Sequence, residues 1–250
     1  MESTGKLEID INCDMGEGFG RYQLAIDPSI FNHITSCNIA CGFHAGDPVT
    51  MAKTLALATR HGVTVGAHPA YPDLVGFGRR SMALSGEELH ASMHYQMAAL
   101  DGMARAAGTS IHYVKPHGAL YNDMMADEAL RQTVMAAVSD YPLELALMLQ
   151  ATPDAPQHRE EAARFQTLPL LFEAFADRCY DDDGRLLSRR EPGAVHSREK
   201  MLEQVRQLVT DGTITTVSGR TLTLHVDTLC VHGDNAEGVA AIQDIRALVP

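Results

Sequence analysis

Four short motifs each place a histidine directly behind a stretch that reads as a buried strand: Cys41-Gly42-Phe43-His44, Gly66-Ala67-His68-Pro69, Lys115-Pro116-His117-Gly118 and Val231-His232-Gly233-Asp234. Imidazole titrates near neutrality, moves protons, ligates metals and is costly to bury without a partner. Four of them at equivalent chain positions point to one shared, catalytic site. Asp14-Met15-Gly16-Glu17-Gly18-Phe19-Gly20 adds two carboxylates among three glycines. There a general acid or base sits beside backbone at Gly16 and Gly18 that is able to approach a phosphate; a tight turn with solvated acids is the alternative. Lys115 and His117, two apart on an extended segment, project to one side, so an ammonium and an imidazole address one anionic oxygen.

Glu173 stands inside an apolar run, where an ionised carboxylate needs a partner. Arg178 or Lys115 supplies one, and a structural ion pair and a catalytic role both stay open. Arg79 and Arg80 are either clamps for a carboxylate or phosphate, or surface charge. Cys41 and Cys230 read as small buried thiols, and the other histidines, His158 among them, as structural. No G-x-x-x-x-G-K-[ST] occurs, so a nucleotide would have to be held without a Walker loop.

Such residues need a frame that brings distant positions together. Alternation from Leu7 to Cys13 gives a first strand, and further strands are read at 34–41, 63–67, 110–115, 143–149, 168–175 and in a last segment ending near Val231. Helices are read from Asp47-Pro48 to Gly62, from Ser85 to Gly108, and over 127–140, 155–164, 198–211 and 235–248, with a hairpin near Ser218-Gly219. Strand-helix alternation without a linker predicts one α/β domain over 1–250: a distorted, seven-stranded TIM-like barrel, with an open flavodoxin-type sheet as rival. The polar motifs then fall at the C-terminal ends of the strands. Asp14 and Glu17 follow strand one, His44 and Asp47 strand two, His68 strand three, Lys115 and His117 strand four, Glu173, Asp177 and Arg178 strand six, and His232 and Asp234 the last. Strand five, ending near Gln150, contributes nothing evident, and the Tyr180–His196 stretch reads as a lid or binding loop.

Composition limits the partners. With 250 residues, 45% hydrophobic and 21% charged, the chain buries a sizeable core. A net charge of −12 argues against nucleic acid or an anionic membrane surface. No run reaches the ~20 apolar residues of a membrane helix, and the start lacks a signal peptide, so the expected location is cytoplasmic. Five cysteines without a C-x-x-C pair read as free thiols.

Asp14-Met15-Gly16-Glu17-Gly18, Asn38 to Asp47, Gly66-Ala67-His68-Pro69, Phe77-Gly78-Arg79, Val114 to Asn122, Phe175-Ala176-Asp177-Arg178 and Cys230 to Asp234 together resemble the LamB/YcsF family. The resemblance runs from about Leu7 to Leu248; Cys37 and Cys179 depart from the pattern, and residues 150–168 match poorly. It implies a barrel of the glycoside hydrolase/deacetylase type. It also implies a part in the opening of the lactam of 5-oxo-L-proline to L-glutamate while ATP, with Mg2+, is hydrolysed, together with the 5-oxoprolinase partner subunits B and C. A homo-oligomer is compatible with this.

Under that reading Asp14, Glu17, His44, His68, Lys115, His117, Glu173, Asp177 and Arg178 form the catalytic set. Gly16, Gly18, Asp47, Arg79, Asn122, His232 and Asp234 bind substrate or nucleotide, and no tightly bound transition metal is expected. A metal-dependent deacetylase-like hydrolase, with Asp14, His44 and His68 as ligands, is the rival. A non-catalytic scaffold protein is another.

Overall fold

A computed structural model describes residues 9–22, 28–188, 191–232 and 236–249. In chain order the elements are β1 (Asp10–Met15), β2 (Ser36–Ala40), α1 (Pro48–His61), β3 (Thr64–His68), α2 (Gly86–Ala106), β4 (Ile111–Val114), α3 (Gly118–Ala126), α4 (Glu128–Ser139), β5 (Ala146–Gln150), α5 (Ala155–Ala162), β6 (Leu170–Phe175), α6 (Arg198–Asp211), β7 (Thr213–Thr215), β8 (Thr221–Thr223), β9 (Thr228–Val231) and α7 (Ala236–Leu248). β1-β2-β3-β4-β5-β6-β9 close into a barrel of parallel strands, β1 pairing with both β2 and β9. β7 and β8 form the expected antiparallel hairpin outside it, with Gly219 at φ 85° in its turn. The open-sheet alternative is thereby excluded. Among the described residues no helix is long and apolar enough to cross a membrane.

Period-two alternation divides each strand between the helical shell and the barrel interior. In β1, Ile11, Cys13 and Met15 join the hydrophobic core, whereas Asn12 and Asp14 reach across the barrel. Asn12 Nδ2 donates to Thr228 Oγ1 (2.8 Å), Asn38 Nδ2 to Asn12 Oδ1 (2.8 Å) and Tyr113 Oη to Asn38 Oδ1 (2.7 Å). The interior is therefore wired by buried polar side chains from β1, β2, β4 and β9, which satisfy one another.

Local signals set the helices that position the strand ends. Asp47 caps α1 by accepting from the Val49 and Thr50 amides, Pro48 opens the helix, and Gly62 closes it at φ 64°. Ser85 and Glu88 form a reciprocal capping box on α2. α3 is absent from the sequence reading, since His117 precedes it with no side-chain cap bond. Tertiary contacts hold its ends instead: Ala119 N donates to Gly78 O (2.8 Å), and Arg131 Nη1 to Met124 O (2.9 Å).

Candidate active site

At the C-terminal end of the barrel Lys115, just beyond β4, is enclosed by groups from three other strands. Its Nζ donates to Asp14 Oδ1 (3.0 Å), Glu173 Oε2 (2.9 Å), Asn12 Oδ1 (3.3 Å) and Cys230 Sγ (3.2 Å). Burial opposes the ammonium, but the carboxylate charges of Asp14 and Glu173 prevail and hold its pKa well above the ordinary range. Burial likewise opposes the Asp14 carboxylate, yet Lys115 and His68 keep it well below its ordinary range. Asn38 Nδ2 adds a bond to Asp14 Oδ1 (2.7 Å). Of the two cations the sequence offered Glu173, the structure pairs it with Lys115.

Beside this network stand Glu17, His44, His68 and His117, all buried, each offering one ligand atom within 4.8 Å of the others. Glu17 Oε1 lies 3.3 Å from His44 Nε2 and 3.2 Å from His117 Nδ1. The His44 and His117 rings stack at 3.7 Å with an interplanar angle of 6°. Burial first, and neighbouring imidazoles second, push both His44 and His117 well below the usual imidazole range, so these rings are neutral at pH 7. The loop at Phe77-Gly78 packs against them: Phe77, at φ 55°, turns its carbonyl oxygen to His117 Nε2 (2.9 Å), and Gly78 sits at φ 64°.

A cavity of about 1090 Å³ opens from this floor, lined by Asp14, Glu17, His68, Arg79, Lys115, His117, Asn122, Arg178 and His232 among the predicted residues. His232 Nδ1 lies 2.9 Å from Asp177 Oδ1, and an Arg178 guanidinium nitrogen donates to the Leu187 carbonyl oxygen. The Tyr180–His196 stretch supplies wall residues Asp182, Asp183, Arg185, Leu186, Leu187 and Ser188, as a binding loop would. His44, Glu173 and Asp177 stand behind the lining, each in contact with a group that reaches it.

Three predicted binding residues are used otherwise. The Asp47 carboxylate is taken up by the α1 cap and the Gly20 amide, since a helix N-terminus needs an acceptor there. Gly16, at φ 70°, packs where a Cβ would meet Thr54 Oγ1 at 3.0 Å, and Gly18 accepts from the Gly46 amide; neither lines the cavity. Asp234 lies outside the described residues.

The Asp14, His44, His68 triad of the rival hydrolase does not converge as a set. His68 Nε2 lies 3.5 Å from Asp14 Oδ2, but His44 is directed at Glu17. Sequence reasoning missed Asn12, Asn38 and the carbonyl of Phe77. It also passed over Gln150, whose side chain donates to Gly184 O (2.7 Å), and His158; both line the cavity. Asn12 and Asn38 were legible as polar residues alternating with apolar ones along their strands. Gln150 and His158 carried no such mark.

The LamB/YcsF family model matches residues 9–250. The chain is 54% identical over 237 residues to the 5-oxoprolinase A subunit of Chromohalobacter salexigens, with 94% of each chain covered. It is 53% identical over 239 residues to the second 5-oxoprolinase A subunit of Pseudomonas putida, covering 94% of this chain and 92% of that one. Among solved structures it is similar to the lactam utilization protein from Thermus thermophilus, at 38% identity and a TM-score of 0.87 over 96% of each chain. The match of motif order, of nearly the full length and of the barrel itself has one meaning: this chain belongs to the LamB/YcsF family.

Proposed function

We propose that this chain acts as the A subunit of an ATP-dependent 5-oxoprolinase, opening the lactam of 5-oxo-L-proline to L-glutamate in company with subunits B and C. Support comes from the relatives that carry the name of 5-oxoprolinase A subunits. The observation that carries the chemistry is the Lys115 ammonium held between Asp14 and Glu173 on the floor of a cavity bordered by Arg79, Arg178, Arg185 and Arg220.

A five-membered lactam is resonance-stabilised and reforms readily from glutamate, so water alone attacks it slowly and reversibly. Phosphorylation of the amide oxygen by ATP, with Mg2+ on the phosphates, gives an electrophilic imidate. Water adds to the ring carbon and loses its proton to a base; Asp14, which borders the cavity with Oδ2 3.5 Å from His68 Nε2, is the group for that transfer. Productive collapse breaks the C–N bond, because loss of phosphate at this point would restore the lactam. An acid must therefore deliver a proton to the ring nitrogen, after which a second water hydrolyses the acyl phosphate. Lys115 offsets negative charge on the adduct, and the arginines suit the substrate carboxylate and phosphate oxygens.

No Walker-type loop is present in the sequence, and Gly16 and Gly18 do not face the cavity. A partner protein therefore completes the nucleotide site. The test is 5-oxoproline-dependent ATP hydrolysis by this chain alone, by subunits B and C, and by all three. Turnover confined to the full mixture is expected. Equal coupled turnover by the isolated chain would remove the need for partners, and none in the full mixture would overturn the reading.

A further inference from the structure

His68 and His117 bring ring nitrogens to within 2.9 Å of each other, Nε2 of the first facing Nδ1 of the second. The far nitrogen of each ring is committed elsewhere: His68 Nδ1 to the Lys115 carbonyl oxygen at 2.7 Å, His117 Nε2 to the Phe77 carbonyl oxygen at 2.9 Å. A carbonyl oxygen only accepts, so each far nitrogen carries the proton and, in a neutral ring, each facing nitrogen presents a lone pair. Two more acceptors adjoin them. Glu17 Oε1 is 3.2 Å from His117 Nδ1 and 3.9 Å from His68 Nε2, and Asp14 Oδ2 is 3.5 Å from His68 Nε2. Two imidazole lone pairs 2.9 Å apart repel unless a cation lies between them.

That cation is a shared proton or a metal ion, and three features favour the metal. Donors about 2.0–2.2 Å from an ion lie roughly 2.8–3.6 Å apart as the angle at the ion opens from about 90° to the tetrahedral value, a range that takes in the His68–His117, Glu17–His117 and Asp14–His68 pairs at 2.9, 3.2 and 3.5 Å. The His68 and His117 rings stand at 85°, so both in-plane lone pairs can meet at one point. Each ring also donates its other N–H to a backbone carbonyl, the arrangement that fixes the tautomer of a ligating histidine. His44 does not share this role. Its ring is parallel to His117, and an ion in the plane of one lies out of the plane of the other, so His44 Nε2–H instead donates to Glu17 and positions it.

We propose that Glu17, His68 and His117, with Asp14 Oδ2 adjoining, hold one divalent transition cation such as zinc, with an open coordination position toward the cavity that all four residues line. The two imidazole donors select against Mg2+. This replaces the expectation of no tightly held transition metal. It stands apart from the lactam reading, because binding requires neither substrate nor partner proteins.

The experiment strips the full-length chain with chelator and titrates it with Co2+ in visible absorption, then with Zn2+ in competition. One Co2+ per chain is expected, with the intense bands of a four- or five-coordinate site and displacement by Zn2+. Glu17→Gln and His117→Gln should each weaken Co2+ binding by roughly 100-fold, and His44→Phe by about tenfold. Circular dichroism establishes that each variant is folded; should either ligand variant unfold, X-ray absorption on the Zn2+-loaded native chain decides by the presence of two imidazoles. No saturable site tighter than about 100 µM, undiminished binding in folded His117→Gln, or an ion without imidazole ligands overturns the proposal and leaves a shared proton between the rings. Cobalt binding without coupled turnover in the three-protein mixture would overturn the lactam reading alone.

Discussion

Lys115, at the end of β4, and Glu173, within β6, meet across the barrel at 2.9 Å, with both side chains almost wholly removed from solvent. The ammonium is thus a structural keystone between Glu173 and Asp14 as well as a charge aimed at the cavity. Lys115→Met should destabilise the chain by about 3–5 kcal/mol, because it strands two buried carboxylates. The double variant Lys115→Met/Glu173→Gln should recover part of that loss in urea unfolding and none of the turnover. Full recovery of coupled ATP hydrolysis in the double variant would remove Lys115 from the chemistry.

His68→Gln should lower 5-oxoproline-dependent turnover in the reconstituted mixture by roughly 100-fold, because it removes the imidazole that adjoins Asp14 on the cavity floor and so misplaces the reacting groups. Its thermal midpoint should stay within a few degrees of the native one, since the amide can still donate to the Lys115 carbonyl. Turnover within a factor of two would show that His68 takes no part in the reaction.

Gly78 ties the Phe77 loop to the imidazoles. A Cβ there would lie 2.9 Å from both His117 Cδ2 and His44 Cβ, at a φ of 64° that L side chains rarely adopt. Gly78→Ala should cost about 1–3 kcal/mol of stability and reduce turnover without removing any polar group. An unchanged melting curve and unchanged kinetics would mean that the loop yields freely.

Away from the site, Arg131 of α4 grips Glu161 of α5 through Nε (2.7 Å) and Nη2 (2.9 Å), both side chains buried. Hydrogen bonds from Arg131 hold the Glu161 carboxyl below its ordinary range against the opposing effect of burial. With the folded pKa depressed, the pair's stabilisation is complete above the unfolded pKa of about 4.3 and is lost as pH falls through the lower folded value. Glu161→Gln should therefore cost about 3 kcal/mol at pH 7 and progressively less below pH ~4 in urea titrations. A pH-independent difference would refute the linkage.

All five cysteines are buried, and burial pushes the Cys41 thiol up to about 12. A thiol-specific reagent at pH 7.5 should leave the native chain unmodified over minutes and label five sites after denaturation. Rapid labelling of the native chain would expose a thiol that the fold leaves accessible.

Much of this arrangement is readable from residue order. The parallel barrel follows from repeated strand-helix alternation without a linker, and the site from the placement of Asp14, His68, Lys115 and His117 just past apolar runs, since such ends converge on one face. Asp47 looked like a binding residue for the same reason, although the Asp-Pro step also marked it as a helix cap. Both signals were present in the sequence, and only the folded chain shows that the cap takes the carboxylate.

Sequence by itself determined the residue types, their strand ends and the family, because periodicity and contiguous motifs are local properties of the chain. Tertiary structure alone decided the partners. Glu173 chose Lys115 over Arg178, Glu17 rather than Asp14 joined His44, and two backbone carbonyls, of Lys115 and Phe77, fixed which nitrogens of His68 and His117 face each other. These are pairings between residues far apart in the chain. Their ångström-scale geometry depends on barrel closure and on a glycine-supported loop, and neither leaves a periodic or compositional trace in the order of residues.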